Sequence, residues 1–277
     1  MPVRALPRLS ALTAVAVVSL ASGSAASRPE ARPAAGIRHL FQAPADSVKP
    51  HEFYFTRGIY SSYYGCGPGD QMGQRGYRRC SWSTDYPKAD QQFLFGVRRL
   101  VDIDAYEMDH AVSIVDPKLN RFPFLYMLEV GAMSLTPAEQ VALRRYSDAG
   151  GFIVIDDFWG SSGWANFEHE IEQVFPDFQI VDLPMDHPLF NMVYPIKEII
   201  QVPNVGNAKR GQTYEQDGYV AYCRGMIDKE GRLRVVINWN TDLGDAWEWA
   251  EDPYYPLKYS TFAWEMGINF IIYAMSH

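Results

Sequence analysis

Three cysteines in 277 residues are too few for a disulfide framework, and none stands in the CxxC spacing of a structural metal site. No GxSxG elbow occurs, so a serine hydrolase of that design is excluded. Positive charge is also scarce: 25 Lys and Arg face 33 Asp and Glu, for a net charge of −8. Nucleic acids and anionic membranes reward clustered Lys and Arg, so neither is an expected partner. The longest apolar run, Leu9 to Leu20, falls short of the roughly 20 residues that span a bilayer.

That run has another use. Arg4 and Arg8 precede it, and the small residues Ala21 to Ala26 follow it, ahead of a Pro-rich segment from Arg28. This is the pattern of an export signal cleaved near Ala26. Residues 1–26 are therefore expected to be a signal peptide, 27–50 a flexible leader, and 51–277 a single domain. Cleavage removes two arginines and no acids, which takes the charge from −8 to −10. The expected location is periplasmic or extracellular, where Cys66 and Cys80, flanking a Gly-rich loop, could be bridged. Cys223, inside the run YVAYC, reads as a buried small hydrophobe.

The local patterns predict an α/β fold. EFYFTRGIY (52–60) alternates as a strand, and 61–84 forms a long loop. Asp85 caps a helix whose apolar positions, Ala89 to Val101, recur at three- and four-residue steps. Residues 111–115 and 124–130 are strands. Thr136, Pro137 and Glu139 open a helix with a capping box, and Gly150 ends it left-handed. The strand at Phe152–Ile155 is apolar on both faces, as a covered parallel strand must be. Trp164–Val174 reads as a helix and Phe178–Val181 as a short strand. A hairpin turning on Asp228–Gly231 and a last helix near Ser260–Ala274 complete the chain.

Chemistry concentrates in three places. GGFIVIDDFWG (150–160) ends a buried strand on Asp156 and Asp157. Ligands of open α/β sheets bind beyond the carboxyl ends of strands, so these are catalytic candidates. Strand alternation allows only one of the two to face a crevice, unless the strand has already turned. The second place is Asn240 to Glu248, where Asp242, Asp245 and Glu248 could ligate a hard divalent cation, Ca²⁺ or Mg²⁺. Turn chemistry and the capping of a short helix explain the same residues without a metal. The third is Asp186-His187-Pro188, whose histidine could be a general base or simply satisfied by nearby backbone.

Several separated motifs also carry a resemblance. They are E-F-x-F-x-R-x-x-Y at 52–60, Asp85-Tyr86-Pro87 with Asp90, FPFLYMLEVG ahead of GGFIVIDDFWG, Asp186-His187-Pro188, and N-x-N-x-D-x-G-D-x-x-E at 238–248. Tyr255-Pro256, Gly267-x-Asn269-Phe270 and Tyr273-x-x-x-His277 continue the series. Together they resemble the bacterial domain of unknown function 4159 (DUF4159) over nearly all of the chain after the leader. That family is similar in fold to the class I glutamine amidotransferases and their trehalose-utilisation-like branch. The resemblance implies a flavodoxin-like three-layer sandwich with a mostly parallel sheet, plus the C-terminal hairpin and helix. It supplies no activity. Where a glutaminase carries its nucleophilic cysteine, this chain reads Asp-Asp-Phe-Trp-Gly. Arg57, Tyr60, Asp85, Trp159 and Asn240, at matching motif positions, are the ligand-binding candidates.

Two functions of different class remain. One is a cell-envelope binding or assembly module, for a small polar or saccharide ligand or a protein partner. The other is a hydrolase or lyase using Asp156 or Asp157 with Asp186 and His187, and a divalent cation. Convergence of these residues around one pocket separates the two.

Overall fold

A computed structural model describes residues 51–65 and 80–277. The expected signal peptide, leader and Cys66 lie outside the described residues. The elements in chain order are β1 (Thr56–Ile59), α1 (Lys88–Leu100), β2 (His110–Ser113), β3 (Phe124–Leu128), α2 (Pro137–Asp148), β4 (Phe152–Phe158) and α3 (Gly160–Val174). They continue with β5 (Gln179–Asp182), α4 (Val205–Arg210), β6 (Tyr222–Ile227), β7 (Leu233–Trp239), α5 (Leu243–Glu248) and α6 (Leu257–Ser276). Seven strands form one sheet in the order β2-β1-β3-β4-β7-β6-β5. The pairs from β2 to β7 are parallel, while β6 and β5 add antiparallel strands.

Period-two alternation divides the apolar residues between two cores. Tyr126, Leu128, Val154 and Val236 pack with Phe93, Phe262, Met266 and Phe270 of α1 and α6. Leu125, Met127, Ile153, Ile155, Val235 and Ile237 pack instead with Leu143, Phe167 and Ile171 of α2 and α3. The central strands are thus covered on both faces, and this is why FIVI carries no polar alternation. On the first face α1 and α6 approach so closely at Gly96 that a Cβ there would overlap the Trp264 ring at 1.3 Å.

Local chemistry fixes the element ends. The Thr136–Glu139 capping box forms in full, with Pro137 at the first helical position. Gly150 sits at φ +101° after α2, and Gly231 at φ +80° closes the β6–β7 hairpin. Asp85 is not the cap expected for the first helix: it stands ahead of Pro87 at φ +60°, and the helix begins at Lys88. No helix among the described residues is long and apolar enough to cross a membrane.

Parallel strands place their carboxyl ends on one edge. Glu129 follows β3, Asp157 lies near the end of β4 and Asn240 follows β7, at φ +54°, +48° and +60°. With Asp85 these make four left-handed non-glycine residues along one edge. Such backbone is uncommon outside glycine and clusters where a site over-determines it.

Candidate functional site

The strand alternation expected at Asp156-Asp157 breaks. The β4–β7 register shifts between Ile155 and Phe158, and Asp157 takes the left-handed conformation inside that irregularity. Both aspartates are buried, yet they do different things. Asp156 Oδ2 accepts the Tyr126 hydroxyl at 2.6 Å and the backbone N–H groups of Leu243 and Gly244 at 3.0 and 3.2 Å. It therefore ties β4 to the first turn of α5. Burial pushes its carboxyl up to about 7 against the pull of those bonds, and its Oδ1 is closed from solvent without a partner. Asp157 receives only the Trp159 indole N–H, at 3.0 Å, and turns toward the other acids.

Those acids arrive from three elements. One carboxylate oxygen each from Asp85, Asp157 and Asp242 lies within 4.8 Å of the others. A second such group is Asp85, Asp245 and Glu248. Asp242 is held as the N-cap of α5, accepting from the Asp245 N–H at 2.7 Å, and its own N–H donates to Val202 O at 3.0 Å. Asp245 in turn accepts from the Val205 N–H at the start of α4. Asp85 Oδ2 has no hydrogen-bond partner and is shut off from water. Burial, then the charge of Asp245, drives the Asp85 carboxyl well above its ordinary range despite Arg57. Burial, then Glu129 and Asp85, does the same to Asp157, and burial with Asp157 and Asp245 raises Asp242.

Gly244 marks the middle of this space. A Cβ built on it would stand 2.7 Å from Asp85 Oδ2, 3.3 Å from the Tyr126 hydroxyl and 3.5 Å from Asp242 Oδ1. Three oxygens thus crowd this glycine so closely that a methyl group there would overlap Asp85 Oδ2. Among the described residues, the one ion pair made by this acidic group joins Glu248 to Lys88, at 3.8 Å. Lys88 is itself half-exposed and lies 3.8 Å over the Trp249 ring.

Arg57, a ligand-binding candidate from its motif, is instead paired with an acid inside the fold. It is wholly buried and forks onto Asp90, with Nε at 3.1 and 3.0 Å from the two carboxylate oxygens. Its Nη1 donates to Trp82 O and Thr84 O at 3.2 and 2.8 Å. Burial opposes its charge, but Asp90 outweighs that and holds the guanidinium above its ordinary value. Arg57 consequently pins the segment that presents Asp85. Tyr60 is equally buried, donating its hydroxyl to Leu128 O at 2.5 Å, so it braces the end of β3 instead of meeting a ligand. Asn240 is a cross-link: its Oδ1 accepts from the Gly160 N–H and its Nδ2 donates to Val220 O, both at 2.8 Å.

The Asn240 bond also bears on the helix that follows β4. Ser161, the next residue of α3, gives its N–H and hydroxyl to Asp217 at 2.8 and 2.6 Å. The first two N–H groups of this helix are therefore taken by side chains of other segments.

Asp186 and His187 are not brought to the cluster. The His187 ring lies 5.9 Å from Tyr273, whose ring lies 5.4 Å from Phe152, the first residue of β4. Asp157 is five residues further along that strand, roughly 16 Å away at the rise of an extended chain. His187 instead accepts from the Leu189 N–H at 3.2 Å and caps the turn after it, and Asp186 is exposed.

Two residues escaped the sequence reading. Glu129 follows the buried β3 as Asp157 ends β4; burial, then Glu215, pushes its carboxyl up to about 7. Tyr126 orients Asp156 from within β3. The signal for Glu129 was present in FLYMLE, another buried strand that ends on a charge. Against known proteins, a family model described as a domain of unknown function (DUF4159) matches residues 73–275. No curated protein matches the chain.

Proposed function

The chain belongs to the DUF4159 family, and from that premise we propose that it is an exported binding module that takes a divalent cation at the carboxyl edge of its sheet. Asp85, Asp157 and Asp242 hold the ion, and the ion organises a small polar or saccharide ligand. The observation that carries this reading is the buried Asp85 Oδ2, without a partner among the described residues, beside two further carboxylates. A buried anion without a partner is costly, and a hard cation is the ligand that oxygen-only surroundings favour.

The strand order β2-β1-β3-β4-β7, with helices packed on both faces, supports a flavodoxin-like, amidotransferase-like arrangement. Its elbow departs from a glutaminase in two ways: Asp157 stands where a nucleophile would, and the first two N–H groups of α3 are already bonded. These departures favour binding over acyl transfer. A second reading, a cation-dependent hydrolase or lyase, draws on Glu129, whose carboxyl near 7 suits proton transfer at neutral pH. His187, at the far edge, has no part in either.

Thermal unfolding of EDTA-treated protein at pH 8, with and without Ca²⁺, Mg²⁺ or Mn²⁺, tests the reading. A ligand that binds only the native state must raise its stability, by about 2.7 kcal/mol at a hundredfold excess over Kd. Stabilisation should vanish in Asp157→Asn and Asp242→Asn. No stabilisation by any of the three ions removes the proposal.

A further inference from the structure

One cation leaves much of this edge unaccounted for. Asp245 and Glu248 lie three and six residues beyond Asp242, and neither belongs to the Asp85–Asp157–Asp242 group. With Asp85 they form a group of their own, again with one oxygen each within 4.8 Å of the others. Asp85 is therefore common to both groups. Its Oδ2 is buried and has no hydrogen-bond partner among the described residues, so it is the one oxygen of either group left without a role in the fold's own bonding that both groups can reach.

Asp85, Asp157, Asp242, Asp245 and Glu248 carry five formal negative charges when ionised. One divalent cation leaves three. The nearby bases do not make up the difference: Lys88 is half-exposed and, among the described residues, pairs with no acid of this group but Glu248, while Arg57 is committed to Asp90. Extending the single-cation reading above, on which this rests, we propose that the edge holds two divalent cations bridged by Asp85. Asp157 and Asp242 complete one site, Asp245 and Glu248 the other. Both sites are built from carboxylate oxygen alone, which selects hard ions such as Mn²⁺, Mg²⁺ and Ca²⁺ over ions that prefer thiolate or imidazole.

Mn²⁺ is the probe. The EDTA-stripped full chain should bind two Mn²⁺ and give the exchange-coupled EPR spectrum of a bridged pair, in place of the six lines of an isolated ion. Glu248→Gln should leave one ion per chain with the isolated spectrum. Asp157→Asn should also leave one, and Asp85→Asn should abolish the coupling. Unfolding midpoints in EDTA check that each variant is folded. Should Glu248→Gln fail to fold, Glu248→Asp should weaken the second Mn²⁺ at least fivefold and spare the first. One Mn²⁺ per chain, indifferent to the Glu248 variants, overturns the second site and leaves the single-cation reading standing. Two uncoupled ions that ignore Asp85→Asn overturn the bridged pair in the same way. No bound Mn²⁺ at all overturns both.

Discussion

Stripping divalent cations from this protein and raising the pH from 5 to 8 should loosen its fold. Asp156 titrates at about 7 against an ordinary 3.8, and Glu129 at about 7 against 4.5, burial being the main cause in each. Both folded values are raised, so the folded state keeps protons that the unfolded chain has released, and stability falls as pH rises through this window. Linkage gives about 2.5 kcal/mol for each group between pH 5 and 8, about 5 kcal/mol together. His110 opposes them. Burial beside Thr56 lowers its imidazole to about 4, so its contribution grows as pH rises toward 6.5, by about 2 kcal/mol. The net loss is about 3 kcal/mol, a large share of the 5–15 kcal/mol that domains typically have. Urea unfolding in EDTA at pH 5, 6.5 and 8 reads it directly, as a midpoint lower by about 1 M at pH 8 than at pH 5. Ca²⁺ or Mn²⁺ binds the ionised acids, so it should restore the midpoint at pH 8 and change little at pH 5. An EDTA midpoint that climbs between pH 6.5 and 8, where His110 contributes almost nothing, would refute the reasoning. So would equal protection by cation at both ends of the range.

Gly244→Ala should push Asp85 Oδ2 away from Asp242 and weaken cation binding at least tenfold, as read by Tb³⁺ luminescence. Stability in EDTA should change by about 1 kcal/mol or less, since alanine is the better helix former and Asp85 is a side chain that can yield. Arg57→Met leaves Asp90 buried and unpaired, so unfolding should become easier by about 3–5 kcal/mol. A midpoint within 1 kcal/mol of the parent counts against that pair as an anchor. His187→Ala should leave cation affinity within twofold of the parent by the same luminescence titration, and a larger loss would contradict its placement at the opposite edge.

The fold was legible wherever the signal was local. The Thr136–Glu139 box, the two-faced apolar run at 152–155 and the hairpin at 228–231 each state their structure within a few residues, and each formed as read. The site was legible in composition but not in geometry. Asp85 looked like a helix cap because Pro87 follows it; its left-handed backbone depends on Arg57 and the carbonyls that Arg57 holds. The partner of Arg57 could not be named from sequence because Asp90 lies 33 residues on. Alternation could not place Asp157, since the irregularity that turns it arises from the register with β7. His187 was grouped with the aspartates because sequence does not say at which edge of a sheet a loop will fall. Helix α5 stood only as one of two alternatives, because its polar residues cap a helix and gather charge with the same atoms.

The bonds at the start of α3 set a limit on redesign. An engineer seeking acyl-transfer activity from this scaffold would first install a thiol at 157, where the backbone already turns as a sharp elbow requires. That thiol would meet three acids that disfavour its ionisation, and the first two amide hydrogens of α3, which could otherwise stabilise a developing negative oxygen, would still point at Asn240 and Asp217. Installing such chemistry means clearing two segments as well as changing one residue. That corner is already filled by a set of contacts that any replacement must first dismantle.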